Sequence, residues 1–470
     1  MRTVTRTALA CAALTATWAL SACVNLAPAY QRPDAPVAAA WPAAPAPSAA
    51  RADARDAGDV AWRDVIVDDR LRRVVELALA NSRDLRIAVL NVDNARAQYR
   101  IQDAARVPGA GVSAGVTRSR AQGVTSNATN LGVALTGYEI DLFGRVRNLS
   151  DAALQSYLGT AEGARTARIT LVAAVATQWL ALAADAQTQQ LNERTLQLDE
   201  KSFELNTRMH ELGAIKGLPV VQAQAALEAT RGTLAAGRAL LQQDRDALTL
   251  LVGHEVPEAL LPLQALPADA AVLVDVPAGL PSRVLQQRPD VLQAEHSLQA
   301  AQLNIGVARA AYFPTITLTG NAGTASIGLA GLFKGSNGSW SFGPSVSLPI
   351  FDGGARDAQL DSAKVQREIA LATYEKAIQV AFGEVADALA VRATLAERLA
   401  AQRAQVQASE TALRYADALF RNGGSSYLEV LDAQRGLYSA QQSGIALALA
   451  EQQNRIALVK ALGGGWKESN

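Results

Sequence analysis

The chain has 470 residues, 44 basic against 44 acidic side chains, 49% hydrophobic residues and only 5% aromatics. Balanced charge leaves no basic field for nucleic acid and no acidic tail for a cationic partner. Three histidines with no HExxH, no metal-spaced cysteines, no phosphate-cradling GxxxxGK and no GxSxG argue against an enzyme and against a bound metal or cofactor.

Residues 1–22 place Arg2 and Arg6 ahead of an apolar run from Ala8 to Leu20, the pattern of an export signal. The segment Leu20-Ser21-Ala22-Cys23 resembles the bacterial lipobox, so Cys23 is expected to carry diacylglycerol and an N-acyl chain. Val24, in place of Asp, implies sorting to the outer membrane, and several acyl chains would tether the terminus firmly. Cys11 leaves with the signal, so no disulfide remains to be made. From 23 to 59 the prolines at 33, 36, 42, 45 and 47 prevent a long helix and predict an extended arm.

Two repeats follow, 60–255 and 281–466, joined by a linker at 256–280 and trailed by 467–470. Asp84 matches Asp290 and Pro108 matches Pro314 at an offset of 206, while Leu218, Ala223, Gln224 and Gly253 match Leu428, Ala433, Gln434 and Gly463 at 210. So steady an offset marks a tandem copy of a whole module.

Each repeat holds two stretches of alternating character, expected as strands at about 109–118 and 129–142, then 315–325 and 339–351. In the last of these Trp340, Phe342, Val346, Leu348 and Ile350 alternate with mostly serine, which describes a sheet with one apolar and one small, polar face. About ten residues is the length of a tilted membrane strand.

Between Gly354 and Gly423 there is no proline, and as helix this segment would reach about 100 Å. Leu371, Ile378, Val385, Leu399, Val406, Leu413 and Phe420 hold one seven-residue register, broken only by Arg392, as do Leu191, Leu198, Leu205 and Leu212. That period predicts helices coiled around one another through these side chains. The apolar run from Ile169 to Ala184 is short and interrupted by Thr170, Thr177 and Gln178, so a packed helix is expected there, not a membrane span.

Unpaired strand edges are not tolerated in hydrocarbon, and four strands cannot close a barrel. Three chains would supply twelve strands, the smallest assembly that is both sealed and hollow. The expected fold is therefore a membrane β-barrel joined to a long α-helical coiled-coil barrel, built by a homotrimer of internally duplicated chains.

The chain resembles the TolC-type outer membrane factors, in their lipoprotein (NodT-type) branch. The resemblance is carried by Tyr30-Gln31-Arg32-Pro33, Ala80-Asn81-Ser82-Arg83-Asp84-Leu85, Gln287-Arg288-Pro289-Asp290, Ala308 to Pro314, Ser341-Phe342-Gly343-Pro344, Leu348 to Gly354, Ser426 to Gln434 and Lys460 to Trp466. It implies an outer membrane exit duct of a tripartite efflux system, with a periplasmic membrane-fusion adaptor and an inner-membrane pump, most simply of RND type, as partners. It further implies a periplasmic gate near residues 422–427, in which Leu428 forms an apolar ring and Asp432 a ring of carboxylates, with Arg435 able to pair with a neighbouring acid and Glu429 adding charge. Leu428, Asp432 and Arg435, at i, i+4 and i+7, share one helix face by spacing. The first repeat has Pro219 and Gln222 where the second has Glu429 and Asp432, so only one helix pair would carry the pinch. Gly213, Gly217, Gly423 and Gly424 mark helix turns where the adaptor is expected to dock, or simply stop the helices. Trp340 and Phe342 are expected in an aromatic girdle at the lipid interface. Two alternatives stay open: an exit duct for type I protein secretion, and a lipid-anchored coiled-coil structural protein.

Overall fold

The structure is a computed structural model that describes residues 24–39, 41, 61–262 and 282–464. Cys23, most of the linker and the tail at 467–470 lie outside the described residues. Helices run α1 (Trp62–Val65), α2 (Asp69–Asn81), α3 (Arg83–Ala104), α4 (Arg145–Glu211), α5 (Gly217–Val252), α6 (Pro289–Ala310), α7 (Ala355–Arg421) and α8 (Tyr427–Ala461). Strands are β1 (Ala110–Ala121), β2 (Val124–Ile140), β3 (Thr315–Ser326) and β4 (Gly338–Ser347).

The repeat is written into these lengths: α3 and α6 have 22 residues each, α4 and α7 67 each. The described residues fall into two compact units, one of 24–35, 90–162 and 292–377, the other of 36–39, 41, 61–89, 163–262, 282–291 and 378–464. Each unit thus takes segments from both repeats.

The first unit holds the sheet, antiparallel throughout in the order β1-β2-β3-β4. Gln122 and Gly123 both have positive φ and close β1 onto β2 with the two-residue turn that matches strand twist. Register aligns Val112, Val133, Ala322 and Trp340 in one row across all four strands, and Ser113, Gly132, Gly323 and Ser339 in the neighbouring row on the opposite face. On that second face the strands approach so closely that a Cβ on Gly323 would lie 2.2 Å from the Leu131 carbonyl oxygen.

A bulge separates Leu135, paired with Gly320, from Tyr138, paired with Leu318. Three steps on β2 therefore match two on β3, and Gly137, with φ of 56°, absorbs the extra residue. The shift keeps Tyr138 and Ile140 on the face of Leu131, Val133 and Leu135. β4 ends at Ser347, not Phe351, because Pro349 has no amide hydrogen to continue the ladder, and Leu348, Ile350 and Phe351 are exposed beyond it.

In the same unit the N-terminal arm lies along α6. Gln302 donates to the carbonyls of Pro28 and Ala29, and Arg309 to that of Leu26. Gly306 makes room for this, since a Cβ there would sit 2.8 Å from Ala27 Cα.

The second unit has a conventional core. Asp68 caps α2 by accepting from the amides of Arg70 and Leu71, and Leu71, Val74, Val75 and Ala78 then fall on one buried stripe. They pack with Trp179, Leu182, Leu248 and Val252. The apolar run at Ile169 to Ala184 is part of this core, with Trp179 donating to the Leu260 carbonyl at 2.9 Å. Gly253 and Gly463, both with φ near 75°, end α5 and α8 against equivalent points. A Cβ on Gly253 would meet the Asn81 oxygen at 2.5 Å, and one on Gly463 would meet Arg288 Cγ at 2.9 Å.

One expectation is corrected here. Ile378 and Val385 are buried and Leu399 to Phe420 partly so, as the heptads predict. In α4, however, Leu198 and Leu205 are 49% and 40% exposed, and Leu212 just past its end 79%, while Asn192, Asp199 and Asn206, one position after Leu191, Leu198 and Leu205, are buried. Two partners explain the inversion: Asn192 accepts from the Tyr438 hydroxyl at 2.8 Å, and Asp199 from that of Thr230 at 2.6 Å. A buried polar side chain at a seam position fixes helix register at the expense of stability.

Candidate functional site at the helix tips

The two 67-residue helices, α4 and α7, stop in the same way, at ends that lie in the second unit. Gly213 and Gly423 have φ of 72° and 73°, the left-handed conformation that glycine adopts without a Cβ penalty. The Ala214 amide donates to the Met209 carbonyl and the Gly424 amide to the Leu419 carbonyl, each at 2.8 Å, as in a Schellman motif. Gly213 and Gly423 thus have a structural role in the turn. Gly217 opens α5 with His210 against it, and Gly424 lies over Leu419. In the first turn His210 Nδ1 is 3.0 Å from the Ile215 carbonyl oxygen, a contact for which the second turn has Phe420 instead.

Beyond the second turn, α8 is anchored by its inward face. Tyr427, Val430 and Leu431 are buried with Ala223, backed by Phe203, Leu413 and Phe420. The rings of Phe420 and Tyr427 are 5.5 Å apart, and the Tyr427 hydroxyl donates to Ser202 Oγ at 3.1 Å. This leaves Leu428, Glu429, Asp432 and Arg435 together on the exposed side, all within the first two and a half turns.

Arg435 also acts across to α4. Burial raises the Asp199 carboxyl above the usual carboxylate range, opposed by the Thr230 hydroxyl and by the charge of Arg435. Asp199 was not legible as a site residue. Its signal is the seven-residue spacing of Asn192, Asp199 and Asn206 beside a leucine stripe.

Trp340 and Phe342 are exposed on the apolar face of β4, in register with Ala322 and Gly320. Among the described residues no cluster of His, Cys, Asp or Glu is arranged to hold a metal.

A duplicated chain that joins an apolar-faced four-stranded sheet to 67-residue helices has the make-up of a channel-forming outer membrane protein. The chain belongs to the outer membrane efflux protein family, which matches residues 74–254 and 280–464, one match for each repeat. It is 45% identical over 454 residues to the probable efflux pump outer membrane protein TtgC of Pseudomonas putida, covering 94% of this chain and 93% of that one. It is 42% identical to the outer membrane protein OprJ of Pseudomonas aeruginosa, covering 96% and 94% of the two chains. Among solved structures, CusC aligns with a TM-score of 0.84 at 39% identity, covering 94% of this chain and 100% of that one. The open state of the MtrE outer membrane channel of Neisseria gonorrhoeae aligns with a TM-score of 0.84 at 36% identity, covering 94% and 99%. The protein is an outer membrane exit duct of an efflux system, with a periplasmic extension, and such a duct works with an adaptor and an inner-membrane pump.

Proposed function

We propose that three copies of this chain close a twelve-stranded barrel through the outer membrane, that their long helices form a periplasmic tunnel, and that the assembly passively conducts small toxic compounds outward. The observation that carries this reading is the open sheet: β1 and β4 each have one unpaired edge, and one face is apolar and exposed. An open edge in hydrocarbon costs several kcal/mol per unpaired group, so neighbouring copies must supply the missing strands. The exposed stripe Leu198, Leu205 and Leu212 supports the same conclusion for the helices. Among relatives, one is named an antibiotic efflux pump outer membrane protein and another a toluene efflux pump outer membrane protein.

On this reading Trp340 and Phe342 face lipid as part of an aromatic girdle, and Cys23 carries the acyl anchor. The turns at Gly213, Gly217, Gly423 and Gly424 receive the adaptor, which couples the duct to an RND-type pump. Leu428 forms the apolar ring of the periplasmic gate, and Asp432 and Glu429 place rings of like charge beside it, which attract cations. Arg435 is divided between that ring and Asp199.

Single-channel recording in planar bilayers tests the proposal. The wild-type trimer should conduct and be blocked by multivalent cations added at the helix side, and Asp432→Ala should weaken that block several-fold. A non-conducting monomer would overturn the barrel; block unchanged in Asp432→Ala would overturn the gate.

A further inference from the structure

We infer that the rim of the sheet farthest from the helices binds the phosphate groups of the glycolipid of the outer leaflet, with Arg118 and Arg120 as the gripping residues. The inference rests on the barrel reading above.

Topology fixes which rim this is. α3 and α6 lead into the starts of β1 and β3, and α4 and α7 leave from the ends of β2 and β4, so all four helix junctions lie at one end of an antiparallel sheet. The Gln122–Gly123 turn and the 327–337 loop lie at the other. Since the helices form the periplasmic extension, that other end faces outward.

Alternation fixes which way the arginines point. Val112, Val116, Arg118 and Arg120 occupy one face of β1, the face that carries Val133 and Trp340 through the register. They therefore stand on the lipid side of the wall, not in the conduit. β1 has 12 residues, which span about 40 Å and, tilted by about 45°, some 28 Å of depth against an apolar band of about 25 Å. Val112 and Val116 fall deeper in that band, and Arg118 and Arg120 stand in its outer third, from where their long side chains snorkel to the headgroups.

Among the described residues no carboxylate forms an ion pair with either arginine. Their cross-strand partners are Asn127 and Thr125. The sequence has no Asp or Glu from Ala104 to Tyr138 or from Ala311 to Phe351, whereas Glu139, Asp141 and Asp352 follow at the helical end. The outer loop adds Lys334, beside exposed Phe333 and with exposed Ile327 and Leu329. Apolar side chains interleaved with a cation suit the boundary between acyl chains and charged headgroups. Two arginines whose Cα atoms stand about 7 Å apart along one strand face match phosphates, which Arg binds bidentately.

The test is native mass spectrometry of the full-length protein in mild detergent, titrated with bisphosphorylated lipid A, the same lipid enzymatically dephosphorylated, and phosphatidylglycerol. Bisphosphorylated lipid A should be retained at least about tenfold more strongly than either other lipid, the expectation for one charge-assisted hydrogen-bonded site. R118A/R120A should lose that preference and R118K/R120K keep part of it. Equal retention of the dephosphorylated lipid or of phosphatidylglycerol overturns the inference, as does an unchanged preference in a folded, conducting R118A/R120A protein. The comparison of lipids on the wild type stands without any variant. A protein that conducts yet shows no phosphate preference sinks this inference alone; one that never conducts sinks the barrel reading.

Discussion

Arg32 in the N-terminal arm grips both oxygens of Glu295 on α6, with the Tyr30 hydroxyl donating to the same carboxylate at 2.9 Å. Burial pushes the Glu295 carboxyl up, but hydrogen bonds from Arg32 and Tyr30 outweigh it and hold the group below the usual carboxylate range. The Tyr30-Gln31-Arg32-Pro33 segment therefore works as a clasp. Glu295→Gln should cost about 2 kcal/mol, as expected for losing hydrogen bonds to a charged group. A depressed carboxyl contributes stability above its unfolded pKa of about 4.3, and that contribution vanishes as pH falls through the lower folded value. Unfolding curves of wild type and Glu295→Gln at neutral pH and below pH 4 check this: the gap should narrow in acid.

Gly323 offers a test of the sheet. A methyl group there would collide with the backbone of β2, whereas at Gly111 it would meet nothing within 4 Å. Gly323→Ala should destabilise the folded sheet by about 1–3 kcal/mol, in the range of overpacked cores, and Gly111→Ala should not. Heat-modifiable migration on gels reads the difference directly, and equal behaviour of the two variants would refute the close approach.

Asp185 on α4 and Asp244 on α5 form a carboxyl pair, with Gln178 donating to Asp244 Oδ1 at 3.0 Å. Burial, then a hydrogen bond and the charge of Asp244, push Asp185 up to about 7. Folded protein then binds more protons than unfolded chain between about pH 4 and 7, so stability falls as pH rises through that window and is level above it. Asp185→Asn should remove this slope. Thermal unfolding at pH 5 and pH 8 gives the answer, and an identical pH difference in both proteins would dismiss the shared proton.

Much of this architecture was legible because physics acts on it through periods. The spacing of Asp84 and Asp290, or of Gly253 and Gly463, exposes the duplication, and the serine alternation around Trp340 exposes a two-faced strand. The leucine stripe of α4 misled for an instructive reason. Period seven marks a seam but not the neighbour it serves, and the partners of Asn192 and Asp199 come from Tyr438 and Thr230, far away in sequence. The bulge at Gly137 was hidden because one extra residue leaves the local composition unchanged. The shared face of Leu428, Asp432 and Arg435 followed from helical spacing and Glu429 was added through the family resemblance, but the buried face that orients them, Tyr427, Val430 and Leu431, is visible only once α8 is packed.

The Val24 amide donates to the Leu142 carbonyl at 3.2 Å, just past the end of β2. If Cys23 carries lipid, its leash has almost no slack: the acyl chains must enter the inner leaflet beside the strand whose foot they adjoin. Such an anchor adds little reach. It sets the height at which the sheet rides in the bilayer, and lengthening the leash by a few glycines would free the duct to bob.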